Sequence, residues 1–322
     1  MQLPVHFGNP ATLQRRNILA ASSPLRGSHL SDSNAGVLAA LGVIVAATDS
    51  SISTPPNVAD PLFKTRTIPA NAVSREDIAQ IICGRVAALL IERFLPESIC
   101  RSTMEIIGDP GFPMERYESA RVNPPIARFG PVVNDYLDGQ GLRSEYWEDV
   151  LHARRCWSTW MGDTDPLAYS IDHLSEAWGT PLRPARVSGR DLFLGAVREI
   201  NNGALIHFDD VRREFGSELF DDGTPAVQLA FNAWTSVPTQ GGTTRIWRHK
   251  WNPADVTSRN GYGYHPVVVD GEQTISLSAG LGDALLFDPR YFHAVDPGLN
   301  GRRVAITFFL GFTSRGELIA WS

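Results

Sequence analysis

Cysteine is scarce in this chain: Cys83, Cys100 and Cys156 are its only three. An odd number with no Cys-x-x-Cys pair argues against a disulfide framework and fits unpaired thiols in a reducing compartment. Charge is sparse too, at 20% of residues with a net charge of -6. No cluster of Lys and Arg stands out, which excludes a surface that tracks nucleic-acid phosphates. The longest apolar run, Ala35 to Ala47, is too short and too rich in Gly and Ala to span a bilayer, so no membrane anchor is expected. No internal repeat or low-complexity tract is present. What remains is 322 residues, 43% of them hydrophobic, enough to bury a large core as one domain.

Three regions differ in character. Residues 1–70 are rich in Ser, Ala and Pro and read as an extended lead-in. The first 31 residues carry Arg15, Arg16 and Arg26 with no acid before Asp32, the composition of an organellar transit peptide. Given the thiols, a cytoplasmic location is expected ahead of organellar import. Residues 71–180 read as helical. Ser74 and Asp77 form a capping box, and Ile78, Ile81, Ile82, Leu89 and Phe94 recur at helical spacing until Pro96. From 181 to 322 come short β-rich runs, "ALIHF", "AVQLAFNAW", "TTRIWRHKW", "YHPVVV", "TISLSA", "DALLFD" and "VAITFFLGF", several separated by Gly-containing dipeptides. Many short strands at such spacing indicate an antiparallel sandwich or barrel.

His207 and Asp209 end one of these runs and, two apart on a strand, share a face. A lone His-x-Asp is ordinarily a core histidine and a turn. Here, however, His293 follows another apolar strand 84 positions beyond Asp209. Two imidazoles and one carboxylate converging inside a β-barrel make the facial triad of non-heme Fe(II) oxygenases, which leaves coordination positions open, whereas a structural zinc site closes with a fourth protein ligand. Each ligating imidazole is expected to donate its other N–H to a supporting acceptor. Ten residues past His293, Arg303, Ala305 and Thr307 share one face of the last long strand. A buried guanidinium beside a hydroxyl implies an anionic ligand, held bidentately.

In order and spacing, His207-Phe208-Asp209, His293, Arg303 and Thr307, with the "GGTTRIW" stretch before the second histidine, resemble the Fe(II)/2-oxoglutarate-dependent dioxygenase superfamily. The resemblance covers roughly residues 185 to 313. It implies a mainly β chain with an α-helical N-terminal part, built on a double-stranded β-helix (jelly roll) core at 181–322 that the helical region 71–180 packs against. It further implies Fe(II) on His207, Asp209 and His293, with 2-oxoglutarate chelating that iron and its distal carboxylate held by Arg303 and Thr307. O2 is the oxidant, and succinate and CO2 are released. Arg302 is the rival of Arg303, and strand alternation puts it on the opposite face. Related halogenases carry Gly or Ala where Asp209 stands, so hydroxylation, desaturation or oxidative ring closure is expected instead of halogenation.

The implied partner is a small-molecule substrate. The chain is similar to members that oxidise free amino acids or small natural products, among them a fungal enzyme that closes an aziridine ring on valine. Arg198 and Arg245 are candidate clamps for a substrate carboxylate, with Arg121 and Arg128 also flanking the core. Phe208, Trp234, Trp247, Ile306 and Phe308 are candidate pocket walls. Two rival readings stand beside this one: an iron oxidase that needs no 2-oxoglutarate, and a non-enzymatic cupin-like metal-binding protein, which has no use for Arg303. Oligomeric state leaves no mark in the sequence.

Overall fold

A computed structural model of the protein describes residues 59–138, 141–215, 219–313 and 315–322. The transit-like segment and most of the lead-in lie outside the described residues. Twelve strands serve the description: β1 Thr65–Pro69, β2 Ala88–Glu92, β3 Ala127–Phe129, β4 Ala196–Glu199, β5 Ala204–His207, β6 Val227–Ser236, β7 Thr244–Lys250, β8 Thr274–Leu277, β9 Ala284–Phe287, β10 Tyr291–Val295, β11 Val304–Phe312 and β12 Leu318–Trp321. Among the described residues they form two large sheets. The major sheet runs β1-β2-β9-β6-β11-β4-β3, with β12 on the far part of β11; the minor sheet contains β5-β10-β7-β8.

Strand alternation sorts the side chains of the major sheet into two environments. Register places Ala196 beside Thr307, Arg198 beside Ala305, and Asn232 beside Thr307 on the inner face. Trp234, Ala305, Leu285 and Phe287 there meet Ile246 and Leu277 of the minor sheet in an inter-sheet core. Val197, Phe231, Ile306 and Phe308 face outward into a second, larger core. That core is closed by four helices, α1 Arg75–Ile82, α2 Glu97–Gly108, α3 Glu145–Met161 and α4 Pro166–Trp178, through Ile78, Cys100, Trp157 and Leu174. Sequence cues for two of these helices are present in full. Ser74 accepts from the backbone of Asp77 while the Asp77 carboxylate returns the bond, and Asp165 caps α4 ahead of Pro166, with Gly179 closing its C-terminus at φ +83.

Three segments depart from the sequence reading. The helical spacing of 75–95 breaks after Ile82, where Gly84 takes φ +68 and the chain re-enters the sheet as β2, parallel to β1 and antiparallel to β9. Leu89 and Ile91 are fully buried there. A short apolar run buried on both faces carries no period that separates strand from helix. The end of the lead-in is likewise a sheet strand, β1. "YHPVVV" forms a short 3-10 helix over Pro266–Val269 in place of a strand, because Pro266 brings no N–H to a ladder. No helix of the described residues is long and apolar enough to cross a membrane.

Candidate metal centre and its cavity

His207 is the last residue of β5 and His293 the third of β10, and the antiparallel register pairs them directly. Paired residues project to the same side, so the rings stand with centroids 4.2 Å apart. Asp209 lies two residues beyond β5, where its backbone N–H is tied to the Pro289 carbonyl at 2.9 Å. This brings its carboxylate to 3.5 Å from His293 Nε2. One ligand atom from each of the three residues lies within 4.8 Å of the others, compact enough for one ion to touch all three.

The expected supporting acceptors are present. His207 Nδ1 bonds the Leu205 carbonyl at 2.7 Å and His293 Nδ1 the Tyr291 carbonyl at 2.9 Å. In each case the carbonyl belongs to the residue two earlier on the same strand. Each Nδ1 therefore donates, and each Nε2 keeps a lone pair for a metal. Burial, reinforced by the neighbouring His293, pulls His207 down to about 4, so the ring is neutral at neutral pH. Burial alone would raise Asp209, but both imidazoles and Arg198 override it, and the carboxyl lies below its ordinary value. Neutral nitrogens with one carboxylate are the donor set of a borderline divalent metal such as Fe(II).

The centre opens into a cavity of about 340 Å³ that reaches the major sheet at Arg198, Asn232, Arg303 and Thr307. Arg303 is 5% exposed. Its Nε donates to the Gly242 carbonyl and its Nη2 to Thr244 Oγ1, both at 3.0 Å, and its guanidinium lies 5.3 Å from the Trp234 ring centroid. Among the described residues only two of its five N–H donors thus have acceptors, and no carboxylate pairs with it. Burial alone pushes it down to about 10. The double glycine beneath it is required by the backbone: Gly241 has φ +72, and a Cβ there would stand 2.1 Å from the Pro297 carbonyl oxygen. Arg302 leaves the opposite face, bound to Glu199 at 2.8 and 3.0 Å.

Of the proposed pocket residues, the structure brings Arg198, Phe208 and Phe308 to the cavity and turns the others away. Phe208 and Phe308 border the cavity, but their rings pack elsewhere. Phe208 alternates with His207 and Asp209 and joins Phe292 and Tyr264 on the outer face of the minor sheet. Phe308 stacks on Phe231 at 4.6 Å, and Ile306 lies beside it in the helix-side core. Arg245 and Trp247 flank the inward Ile246, so both point out. Arg245 is paired with Asp296 at 2.8 Å and is 43% exposed, and Trp247 packs in the outer aromatic cluster. Trp234 is buried beneath Arg303 and does not line the cavity. Arg121 is at the cavity wall and Arg128 behind it, both spent on Asp135. The sequence reading missed Tyr117, Asn134, Glu214, Tyr262 and Asn232, which also line the cavity. Of these only Asn232 had a signal, its alternation with the inward Ala230 and Trp234.

No family model matches the chain. It is 44% identical over 213 residues to the L-gamma-glutamyl-L-propargylglycine hydroxylase of Streptantibioticus cattleyicolor, across 65% of this chain and 79% of the relative. It is 28% identical over 212 residues to Leucinostatins biosynthesis cluster protein S of Purpureocillium lilacinum, across 62% of this chain and 84% of that one. Among solved structures it is similar to an N-substituted L-amino acid dioxygenase of Burkholderia ambifaria AMMD, solved free and with alpha-KG. The TM-scores are 0.54 and 0.52 at 15% identity, across 77% of this chain and 91% of that one.

Proposed function

The chain belongs to the Fe(II)/2-oxoglutarate-dependent oxygenase superfamily, and on that premise we propose that it hydroxylates an aliphatic carbon of an amino-acid-like substrate in this cavity. Held there, Fe(II) with 2-oxoglutarate and O2 supplies a two-electron oxidation of an unactivated C–H bond, with succinate and CO2 as the other products. His207, Asp209 and His293 are the metal's ligands in this reading. Arg303, with Thr307 on the same face further along β11, takes the distal carboxylate of 2-oxoglutarate. The two sheets act as a double-stranded β-helix whose minor sheet carries the metal and whose major sheet carries the co-substrate. Residues 181–322 supply most of the catalytic core, β2 and β3 of the 71–180 region extend its major sheet, and the helices of that region support it from the outer face as part of one structural domain.

The observation that carries the reading is Arg303, a guanidinium 5% exposed with no acid partner among the described residues. A buried charge without a counter-ion is costly, and a dianionic co-substrate held in this cavity would supply the missing partner. A cupin-like binding protein has no use for it in this place, whereas an oxidase without 2-oxoglutarate would spend it on a substrate carboxylate, and a requirement for 2-oxoglutarate separates the two. The chain's own groups contribute position and electrostatics. The Leu205 and Tyr291 carbonyls fix both imidazole tautomers. Asp209 occupies the third protein position, which leaves no place for a halide and makes hydroxylation the default. The 44% identical relative is named for hydroxylating a γ-glutamylated amino acid, which supports an amino-acid-like substrate for this chain. Anaerobic addition of Fe(II), with and without 2-oxoglutarate, tests the assignment. A weak visible absorption band that needs both is expected, and its absence would overturn the reading.

A further inference from the structure

Resting on that assignment, we infer that the cavity selects a substrate with a free α-amino-acid head, its carboxylate held by Arg198 and its ammonium by Glu214. Arg198 projects from β4 on the inner face, in register with Ala305 on one side and Arg128 on the other. Arg128 is satisfied by the Gly130 carbonyl at 2.6 Å and by Asp135 at 3.4 Å, with Glu115 at 3.8 Å. Arg121 shares the same Asp135, whose second oxygen also accepts from the Tyr117 hydroxyl at 2.9 Å. Three guanidiniums thus crowd one buried carboxylate and one exposed one, and Arg198 is the member left with no hydrogen bond or ion pair among the described residues. It is half-buried on the cavity wall, and its charge is felt at both His207 and Asp209. With Arg303 taken by 2-oxoglutarate, Arg198 is the unspent cation at the metal end, and a carboxylate is what it fits.

Glu214 is its counterpart. It lies five residues past Asp209 and lines the same cavity. One of its oxygens accepts from Asn134 Nδ2 at 2.8 Å, and no cation among the described residues pairs with it. Burial and the nearby Asp209 push its carboxyl up to about 8, so a cation arriving there would restore its charge. An unpaired guanidinium and an acid without a cation, lining one cavity, complement a zwitterion, and they discriminate against neutral or singly charged analogues, which leave one of them uncompensated.

The test uses the full chain under anaerobic conditions with Fe(II) and 2-oxoglutarate, read by calorimetric titration. The probes are L-propargylglycine and its γ-glutamyl dipeptide, each also blocked at the carbon bearing both ammonium and carboxylate, as the carboxamide or the N-acetyl derivative. At least one free probe is expected to bind, with each block weakening it roughly ten- to a hundred-fold. Arg198→Leu should cause a similar loss, the carboxamide should lose little more in that variant, and Arg198→Lys should recover part of it. Glu214→Gln should behave in the same way toward N-acetylation. A merely structural role for either residue predicts equal losses for free and blocked probes, and would overturn the inference. So would binding of neither free probe, or equal binding of free and blocked forms to the wild type. The absorption band of the Fe(II) and 2-oxoglutarate complex is followed in parallel. Its loss in Arg198→Leu alone assigns Arg198 to the co-substrate and overturns the inference. Its absence from the wild type instead counts against the oxygenase reading, and the binding comparison on the protein alone then decides this one.

Discussion

Replacing Arg303 with leucine should cost the ligand-free protein little and the co-substrate a great deal. Burial lowers the guanidinium well below its ordinary value, to about 10, which at about 1.4 kcal/mol per pH unit places roughly 3 kcal/mol against its charged form. Leucine removes that penalty. It also forfeits two hydrogen bonds, to Gly242 and Thr244, at about 1 kcal/mol each, and the contact with Trp234 at about 1 kcal/mol. These terms nearly cancel, so the melting temperature without ligand should stay within about 4 °C of the wild type. Binding is different, because truncating one side of a buried charge-assisted pair costs about 2 to 5 kcal/mol, or roughly thirty- to several-thousand-fold in affinity. In thermal unfolding with anaerobic Fe(II), 2-oxoglutarate at about 100 times its wild-type Kd should add about 2.7 kcal/mol to the wild type and no more than about 0.9 kcal/mol to Arg303→Leu. Arg302→Leu is the control, since its guanidinium faces Glu199 on the other side of the sheet. A ligand-induced shift kept by Arg303→Leu, or lost by Arg302→Leu, would refute the assignment and the strand register behind it.

His293→Ala and Asp209→Ala should each abolish stoichiometric Fe(II) in the purified protein, measured by elemental analysis, while circular dichroism stays close to the wild type; activity retained in His293→Ala would end the triad assignment. Turnover should release one succinate per two-electron oxidation of substrate, and product formation without succinate, followed by mass spectrometry, would restore the oxidase alternative. Asp288 is buried between Lys250 at 2.9 Å and Arg290 at 2.7 Å, and although burial alone would raise its carboxyl, the two cations hold it well below the ordinary value. Its contribution is therefore present above the unfolded value near 4 and is lost as pH falls through that region and below. Asp288→Asn should cost about 2 to 4 kcal/mol at neutral pH and flatten the acid side of the stability curve; an acid limb unchanged in denaturant titrations would contradict this.

The metal end of the site was legible in the sequence because it depends on period-two geometry. His207 and Asp209 sit two apart, His293 lies on a neighbouring strand, and Arg303 and Thr307 share a face, so alternation alone separates them from Phe208 and Arg302. The substrate end was not. Arg245 and Trp247 drew attention by residue type, yet the same alternation turns them outward with the inward Ile246 between them. Tyr117 comes from a loop and Asn134 and Asp135 from a single turn of 3-10 helix, too short to show a period, so nothing local ties them to a cavity formed by strands 60 or more residues away. The strand at 88–92 was obscured for a different reason. A run buried on both faces shows continuous hydrophobicity, and only Gly84 hinted that the helix had ended.

The carbonyls that hold the two imidazoles belong to Leu205 and Tyr291, each on the same strand as the ring it holds. Ring orientation is thus written into main chain, which every amino acid supplies alike, and owes little to neighbouring side chains. The wall around the substrate, by contrast, is made of side chains from loops, from the short helix Val211–Glu214 and from β4 of the other sheet. Mutational drift in that wall can retune what enters the cavity without disturbing the ligand geometry. The fold therefore separates an inherited reaction from an adjustable clientele, and a directed-evolution library confined to Tyr117, Asn134, Arg198 and Glu214 should yield variants with altered substrates and unimpaired iron loading.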